Sequence, residues 1–156
     1  MRDLILKPTF KQLIVERWGK IILLNGAVCG MLLKNKYISL LAALFVLYLI
    51  LALFYHYVKL NATKWIIGVE TIRREKGLLS KKIDYIELYR IIDYREEQNL
   101  LQRLLKIKTL IIFSDDPSDP RMDIDGIDIE KPIVKILRNN VEQCKKKKHV
   151  YEITNR

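Results

Sequence analysis

The hydrophobic residues of this chain are concentrated near its amino terminus, where the longest uncharged run lies. Residues 37–58 are 22 consecutive residues without Asp, Glu, Lys or Arg, and Leu, Ile, Ala and Phe dominate them. At about 1.5 Å per residue, a helix of this length crosses the roughly 30 Å hydrocarbon core of a bilayer. Tyrosines near both ends suit the aromatic belts of the two membrane interfaces. The run therefore predicts a transmembrane helix.

A second apolar stretch precedes this run. Residues 21–33 alone are too short to cross a bilayer, and an extension back to residue 13 includes three charged side chains. Long charged side chains in the first turns of a helix can snorkel to the lipid headgroups. We therefore predict a membrane anchor over residues 1–59, with helices at about 13–33 and 37–58 joined by a tight turn. An amphipathic or half-inserted first segment is the alternative.

After residue 60 the pattern changes to short runs that are rich in β-branched and aromatic residues. Residues 75–77 suit a hairpin turn, with Gly77 free to adopt a positive φ. The segment after this turn alternates, with Ile83 and Tyr85 on one face and Asp84 on the other, as in a half-buried strand. The predicted strands are 65–67, 69–74, 83–88, 91–98, 109–113 and 122–127.

Two helices are predicted in the same part of the chain. Asn99 is a good N-cap for a short leucine-rich helix, and Pro132 suits the first turn of a longer one. The fold class is therefore an α+β membrane protein, in which an N-terminal transmembrane helical hairpin precedes a small β-barrel or sandwich with a C-terminal capping helix. One apolar stripe of that last helix is predicted to face the core: Ile133, Ile136, Leu137, Val141 and Cys144.

The net charge of +10 is as unevenly distributed as the hydrophobic residues. Residues 1–60 carry a net +6, residues 61–144 are neutral, and residues 145–156 carry +4. Most basic residues near the hairpin lie on the side of its two ends, so the positive-inside rule places both termini in the cytoplasm. The charge excess therefore records membrane orientation, and no nucleic-acid partner is expected.

The chemistry-bearing residues are sparse. Two Cys and two His exclude a disulfide scaffold, a zinc finger and a Cys/His metal cage. No P-loop, G-x-G-x-x-G, G-x-S-x-G or H-E-x-x-H motif occurs. The aspartates between residues 115 and 128 do not have the spacing of a calcium loop. We expect no catalytic residues, no cofactor, no metal and no small-molecule substrate.

Two basic clusters are the candidate contact residues for lipid or a partner. The cluster at residues 145–148 suits anionic headgroups, at roughly 1 kcal/mol per lysine near the surface. A nucleic-acid contact and a solvated helix end favoured by the helix dipole are the alternatives. The other cluster flanks the Gly77 turn, where Glu70, Glu75 and Asp84 lie nearby to neutralise it. The candidates are Arg73, Arg74, Lys81, Lys82, Lys145, Lys146, Lys147 and Lys148.

Three segments of the chain occur in an order that resembles a known family. Residues 76–82 (KGLLSKK), 86–93 (IELYRIID) and 98–105 (QNLLQRLL) resemble motifs of the bacterial pleckstrin-homology (PH) family of YdbS-like membrane proteins. The resemblance implies a PH-like cytoplasmic domain over residues 60–144, followed by a basic tail at 145–156. It also implies that the protein is located in a bacterial cytoplasmic (inner) membrane. The family has no catalytic residues that could be transferred to this chain.

The sequence departs from the family pattern at four positions. Glu87 stands where the family usually has Pro, and Asn99 replaces a Ser while preserving the capping chemistry. Lys106 and Lys108 replace the glycines that usually follow the leucine-rich helix. The backbone after that helix is therefore expected to differ from the family's tight turn.

Together these features predict a non-enzymatic membrane-anchored protein. Its PH-like domain is expected to act as a protein-interaction or self-assembly module at the cytoplasmic face of a bacterial membrane, with an unknown protein partner or a homo-oligomer as the occupant. Besides the membrane lipid that surrounds the anchor, a second hypothesis is anionic-lipid headgroup binding through the basic residues of the domain and tail.

Overall fold

A computed structural model of the protein describes residues 3–32 and 35–147 as a helical hairpin, two antiparallel sheets and a carboxy-terminal helix. A single-turn 3-10 helix at Leu88–Arg90 separates the two sheets along the chain. The other elements, in chain order, are β1 (Leu4–Leu6), α1 (Phe10–Met31), α2 (Lys36–Asn61), β2 (Lys64–Ile67), β3 (Thr71–Lys76), β4 (Lys82–Glu87), β5 (Ile91–Glu97), α3 (Leu100–Leu104), β6 (Ile107–Ser114), β7 (Arg121–Asp128) and α4 (Ile133–Lys147).

The helical hairpin consists of α1 and α2, packed against each other in antiparallel directions. Asn35 caps α2 by accepting hydrogen bonds from the backbone N–H groups of Tyr37 and Ile38 at 3.0 and 3.4 Å. Among the described helices, α2 is the one that is long and apolar enough to cross a membrane. Leu49 is the one residue of α2 that is buried within the described chain.

The bounds and the shape of the hairpin helices differ from the predicted 13–33 and 37–58. Helical geometry breaks at Arg17, where φ is −125° and ψ is 19°. The segment before the break packs on the protein, with Leu13 and Val15 buried, so α1 begins earlier than its apolar run. The segment after the break, residues 18–31, is about 21 Å long, which is shorter than the roughly 30 Å bilayer core. The first helix of the hairpin is therefore kinked at Arg17.

The first sheet has the strand order β1-β2-β3-β4 and includes a strand that the sequence did not predict. That strand, β1, precedes the hairpin and pairs with β2, which follows it, so that Leu6 lies opposite Trp65. The predicted anchor over residues 1–59 therefore contributes three residues to a sheet of the folded domain. Because β1 and β2 are neighbours, both ends of the hairpin lie on the same side of any membrane that it enters.

The core lies between the first sheet, the second sheet (β5-β6-β7) and α4. Strands β2, β6 and β7 send alternate apolar side chains into it, and β4 contributes Ile86. Of the predicted α4 stripe, Ile136 is 39% exposed because it lies at the margin of the buried face. The α+β class with two antiparallel sheets and a closing helix is confirmed. The α4 residues in the core are Ile133, Leu137, Val141 and Cys144.

The turns refine the predicted strand bounds. Gly68 donates its N–H to the carbonyl of Thr71 at 2.9 Å, so β3 begins two residues later than predicted and continues through Lys76. Gly77 has φ +117°, as predicted, and a Cβ there would collide with the Ser80 carbonyl. Lys106, which replaces a family glycine, adopts φ +56° directly after α3. A non-glycine residue at this φ carries a conformational cost.

The outer face of the second sheet is covered by the first segment of α1 and by α3. The attachment point is Gly126, whose carbonyl accepts hydrogen bonds from the Thr9 N–H at 3.0 Å and the Thr9 hydroxyl at 2.8 Å. Gly126 has φ +69°, and a Cβ there would lie 2.8 Å from the Cβ of Gln12. Only glycine therefore permits both the backbone conformation and the close approach of the helix.

Substitution of this glycine tests the attachment. Gly126→Ala is expected to lower the free energy of unfolding by about 1–3 kcal/mol, because the side chain is disfavoured at this φ and displaces α1. Urea titration of the full chain in detergent, followed by tryptophan fluorescence, measures the change. Gly19→Ala is the control, because a Cβ there meets nothing within 4 Å. Equal effects of the two substitutions would contradict the assigned role of Gly126.

Candidate functional site at the base of the hairpin

Five elements meet where the hairpin joins the folded domain. The break in α1, the end of α2, the start of β2, the end of β3 and the middle of β7 enclose a cavity of about 180 Å³. The cavity is partly open and lies beside the last turns of the helix that is able to cross a membrane. Its lining residues are Glu16, Arg17, His56, Lys59, Leu60, Thr63, Trp65, Lys76 and Asp125.

Cationic and unpartnered donor groups predominate in this cavity. Arg17, Lys59 and Lys76 contribute three positive charges, against the carboxyl groups of Glu16 and Asp125. Trp65 is 2% exposed, and its indole N–H has no hydrogen-bond partner within the described part of the chain; the same holds for Nε of Arg17. A buried donor without a partner costs about 1–3 kcal/mol, so these groups favour an added acceptor.

A chain of polar side chains connects the cavity with α3. Gln12 donates to Glu16 at 3.2 Å and accepts from Gln102 at 3.4 Å. Gln102 also donates to the hydroxyl of Thr109 at 2.9 Å, and that hydroxyl donates to Asp125 at 3.1 Å. The chain joins the first segment of α1 to the outer face of the second sheet. It therefore couples the hairpin to the domain.

The leucine-rich motif at residues 98–105 has a structural role in this joint. The Asn99 side chain accepts a hydrogen bond from the Gln102 N–H at 2.7 Å, and the Gln102 side-chain oxygen accepts one from the Asn99 N–H at 3.0 Å, which forms a capping box. Gln98 donates to the carbonyl of Ile107 at 2.8 Å and fixes the start of α3 on β6. The predicted N-cap is confirmed. The sequence did not show that Gln102 also reaches the hairpin.

The predicted basic residues around Gly77 have different surroundings. Arg74 is largely buried and pairs with Asp84 at 2.6 Å and with Asp119 at 3.2 Å. Burial alone would raise the pKa of Asp84, but hydrogen bonds from Arg74 and Lys82 outweigh it and hold that pKa below its usual value. Arg74 therefore stabilises the fold at the inner face of the first sheet.

The two lysines after the turn are more exposed. Lys81 bonds Glu75 at 2.8 Å, and Lys64 bonds the same carboxylate at 3.1 Å. Hydrogen bonds from Lys81 and Lys64 lower the pKa of Glu75. Lys82 bonds Asp84 at 3.2 Å, while its side chain stays 78% exposed. A lipid or partner contact of these lysines stays a prediction.

The second predicted cluster lies at the carboxy-terminal end of α4. Lys145, Lys146 and Lys147 form its last turn, where positive charge interacts favourably with the helix dipole. Lys148 lies outside the described residues, as does the rest of the predicted tail. The predicted tail therefore begins within a helix, and its contact with lipid stays a prediction.

A second surface, on the outer face of the first sheet, was not predicted as a whole. The register places Ile5, Ile66, Arg73 and Tyr85 side by side across all four strands. Directly opposed residues of antiparallel strands share one face, so these four side chains form a row, which we call the outer row. Arg73 was a sequence candidate, whereas Ile5 lies in the strand that the sequence missed.

The outer row is accessible and mixed in chemistry. Ile5 is 58% exposed and Tyr85 is 52% exposed. The guanidinium of Arg73 lies 5.8 Å from the centre of the Tyr85 ring, within the range of a cation–π contact. An outward sheet face is normally polar, so an exposed row with two isoleucines and a tyrosine is a candidate contact surface.

Comparison with known proteins identifies a family. A family model described as "Bacterial PH domain" matches residues 19–142, which is most of the chain. No curated protein and no solved structure matches it.

The pH dependence of stability tests the burial of Asp125. Burial raises the pKa of this carboxyl in spite of the hydrogen bond from Thr109. Because the folded-state pKa is raised, the protonated carboxyl stabilises the fold at a pH below its unfolded pKa. This contribution is lost as the pH rises through the folded-state pKa. Asp125→Asn is therefore expected to be more stable than the parent at pH 7, with a difference that shrinks as the pH falls toward about 4.

Thermal unfolding of the full chain in detergent between pH 4 and pH 8 measures this effect. Asp115→Asn is the control, since that residue is exposed and lies outside the cavity. It is not expected to reproduce the gain at neutral pH. A lower stability of Asp125→Asn at pH 7 would show that the folded protein requires the charged form.

Proposed function

The chain belongs to the bacterial PH domain family, and from that premise we propose a non-enzymatic protein that is anchored in a bacterial cytoplasmic membrane and docks a protein partner through its PH-like domain. The observation that carries the docking proposal is the outer row, an accessible apolar and cationic surface that crosses all four strands of the first sheet.

Attachment to a membrane is supported by the exposure of the hairpin. The 26 residues of α2 include a single buried side chain, Leu49. Leaving so much apolar surface in water would cost roughly 25 cal/mol for each Å². A bilayer removes this cost, and the basic residues beside the ends of the hairpin favour the cytoplasmic side for the domain. Examples of the exposed side chains are Leu40, Leu41, Leu44, Leu47, Leu51 and Phe54.

The pairing of β1 with β2 supports a fixed position of the domain at the membrane surface. Lys64, the first residue of β2, follows the end of α2 at Asn61 after two residues. The chain therefore has little freedom to move the domain away from the bilayer. A partner that lies at the same membrane surface would encounter the outer row in a constant orientation, which lowers the entropic cost of docking.

The chemistry of the outer row indicates the kind of partner. Tyr and Arg are enriched among the residues that dominate protein interfaces, because they combine apolar area with hydrogen bonding. Arg73, near the centre of the row, contacts Tyr85 at one edge. Ile5 extends the apolar surface to the opposite edge strand. A second copy would bring another arginine to this surface. We therefore favour a different protein, one that offers apolar side chains and a carboxylate.

Quantitative capture of the full-length protein in mild detergent tests this proposal. A stoichiometric partner is expected with the parent chain. The double variant Ile5→Glu, Tyr85→Glu is expected to recover at least about tenfold less partner, because burying the new charges in an apolar interface is costly. The matched control is Leu100→Glu, Leu104→Glu, which introduces the same charges at leucines that are 80% and 79% exposed on α3.

The result has three clear outcomes. Selective loss with the first variant supports docking at the outer row. Equal loss with both variants, or a monodisperse monomer without any partner, would refute it. Recovery of a second copy instead of another protein would assign self-assembly to this family member and overturn the choice of partner.

A second candidate function is anionic-lipid headgroup binding, and the cavity at the base of the hairpin favours it. The cavity lies beside the end of α2, at the depth where headgroups surround a membrane helix. Lys59, Lys76 and Arg17 supply the charge, and the unpartnered indole N–H of Trp65 is a donor that a phosphate oxygen satisfies.

Lipid retention separates this cavity from the basic helix end. Lys59→Gln, Lys76→Gln is expected to reduce co-purified anionic phospholipid at least about fivefold, as counted by native mass spectrometry of the detergent-solubilised full chain. Trp65→Phe, which removes the indole N–H and keeps an aromatic ring, should reduce it in the same direction. The matched control is Lys145→Gln, Lys146→Gln, which makes the same change in charge. A larger loss with this control would move the lipid site to α4 and sink the cavity assignment.

A further inference from the structure

The turn between β3 and β4 exposes two adjacent leucines. Leu78 is 52% exposed and Leu79 is 100% exposed. Turn tips are normally occupied by Gly, Pro, Asn, Asp and Ser, so a fully exposed leucine pair at a tip needs a physical explanation. Gly77, with φ +117°, and Ser80 complete a tight turn that holds the pair outward from the sheet.

The register of the first sheet places this turn at the membrane end of the domain. Strand β2 starts directly after the membrane helix, and its first residue, Lys64, lies opposite Glu75 near the end of β3. Strand β4 starts at Lys82, opposite Lys76. The chain between these two residues is therefore at the end of the sheet from which the hairpin emerges. The opposite end of the same sheet is the turn between β2 and β3 at residues 68–70.

Side-chain contacts give the same placement independently of the register. Lys76 lines the cavity at the base of the hairpin together with Lys59 and Arg17. Lys81, on the other side of the turn, shares the Glu75 carboxylate with Lys64. Both ends of the turn therefore lie close to the end of α2, where the hairpin joins the domain.

The flanks of the turn suit an anionic surface. Lys81 is 58% exposed and Lys82 is 78% exposed, although each also bonds a carboxylate. Five cations surround the turn against three carboxylates, which leaves a positive balance. They are Lys64, Arg74, Lys76, Lys81 and Lys82, against Glu75, Asp84 and Asp119. An apolar tip between basic flanks matches the interface of a bilayer, where acyl chains lie beneath anionic headgroups.

We propose that the turn at residues 77–81 inserts Leu78 and Leu79 into the bilayer interface beside the hairpin. The membrane is what covers these two leucines, because the turn lies at the end of the domain from which the membrane helix emerges. The inference rests on the membrane attachment proposed above. It adds a second contact, which fixes the tilt of the domain and hence the direction in which the outer row faces.

Depth-dependent fluorescence quenching tests the insertion. The full chain, in a Cys29→Ser, Cys144→Ala background, carries an environment-sensitive NBD label at one introduced cysteine and is reconstituted into vesicles of phosphatidylcholine and phosphatidylglycerol with spin-labelled lipid. Ser80→Cys labels the turn and leaves both leucines in place. Glu70→Cys labels the exposed turn at the opposite end of the same sheet. Leu47→Cys labels the exposed middle of α2.

The expected order of quenching is position 47, then position 80, with position 70 near the level of solvent. Quenching at position 80 should exceed that at position 70 at least about threefold. It should fall to the level of position 70 when Leu78→Ser and Leu79→Ser are added, while quenching at position 47 stays unchanged. Removal of phosphatidylglycerol should weaken quenching at position 80, because Lys81 and Lys82 then lose the anionic headgroups that attract them.

The outcomes separate this inference from the attachment on which it rests. Quenching at position 47 with equal signals at positions 80 and 70 would overturn the insertion of the turn and leave the membrane anchor standing. Absence of quenching at position 47 would overturn the anchor itself. Quenching at position 80 that persists without the two leucines would show proximity to the bilayer without insertion, which also refutes the proposal.

Discussion

The antiparallel pairing of β1 with β2 closes the helical hairpin at its base, and the positions of the other functional features depend on it. Leu6 and Trp65 face each other across this pair and both enter the core. Two chain segments separated by the whole hairpin are thereby held a few ångströms apart. Because of this pairing both ends of the hairpin lie at the same end of the first sheet.

The joint between hairpin and domain combines a tight backbone contact with a buried polar chain. Gly126 lets Thr9 and Gln12 approach the sheet, and Gln102 links that contact to Thr109. Such a network is stable only when its members are satisfied, which explains the buried Gln102 in the leucine-rich motif. Beside it, the cavity contains donors that have no hydrogen-bond partner among the described residues. The joint therefore combines a hydrogen-bonded polar network with a neighbouring cavity that favours a hydrogen-bond acceptor.

Elements with a strong local pattern were predictable from the sequence. The apolar run of α2, the alternation in β4, the positive φ of Gly77 and the capping by Asn99 all agree with the structure. Elements that depend on distant partners were not. β1 has only three residues, too few to show a period, and its partner lies about 60 residues away. The break at Arg17 also has no local signal, since neither proline nor a glycine pair marks it.

The sequence alone therefore determined a long apolar helix, a neutral region of short strands and a closing helix, because hydrophobic periodicity and charge are visible within a few neighbouring residues. Only the folded chain decided which basic residues are used internally. Arg74 became part of an ion-paired core because Asp84 and Asp119 reach it, whereas Arg73, one residue away, faces outward beside Tyr85. The pleat of a strand separates these neighbours onto opposite faces, and the register with distant strands determines what each face meets.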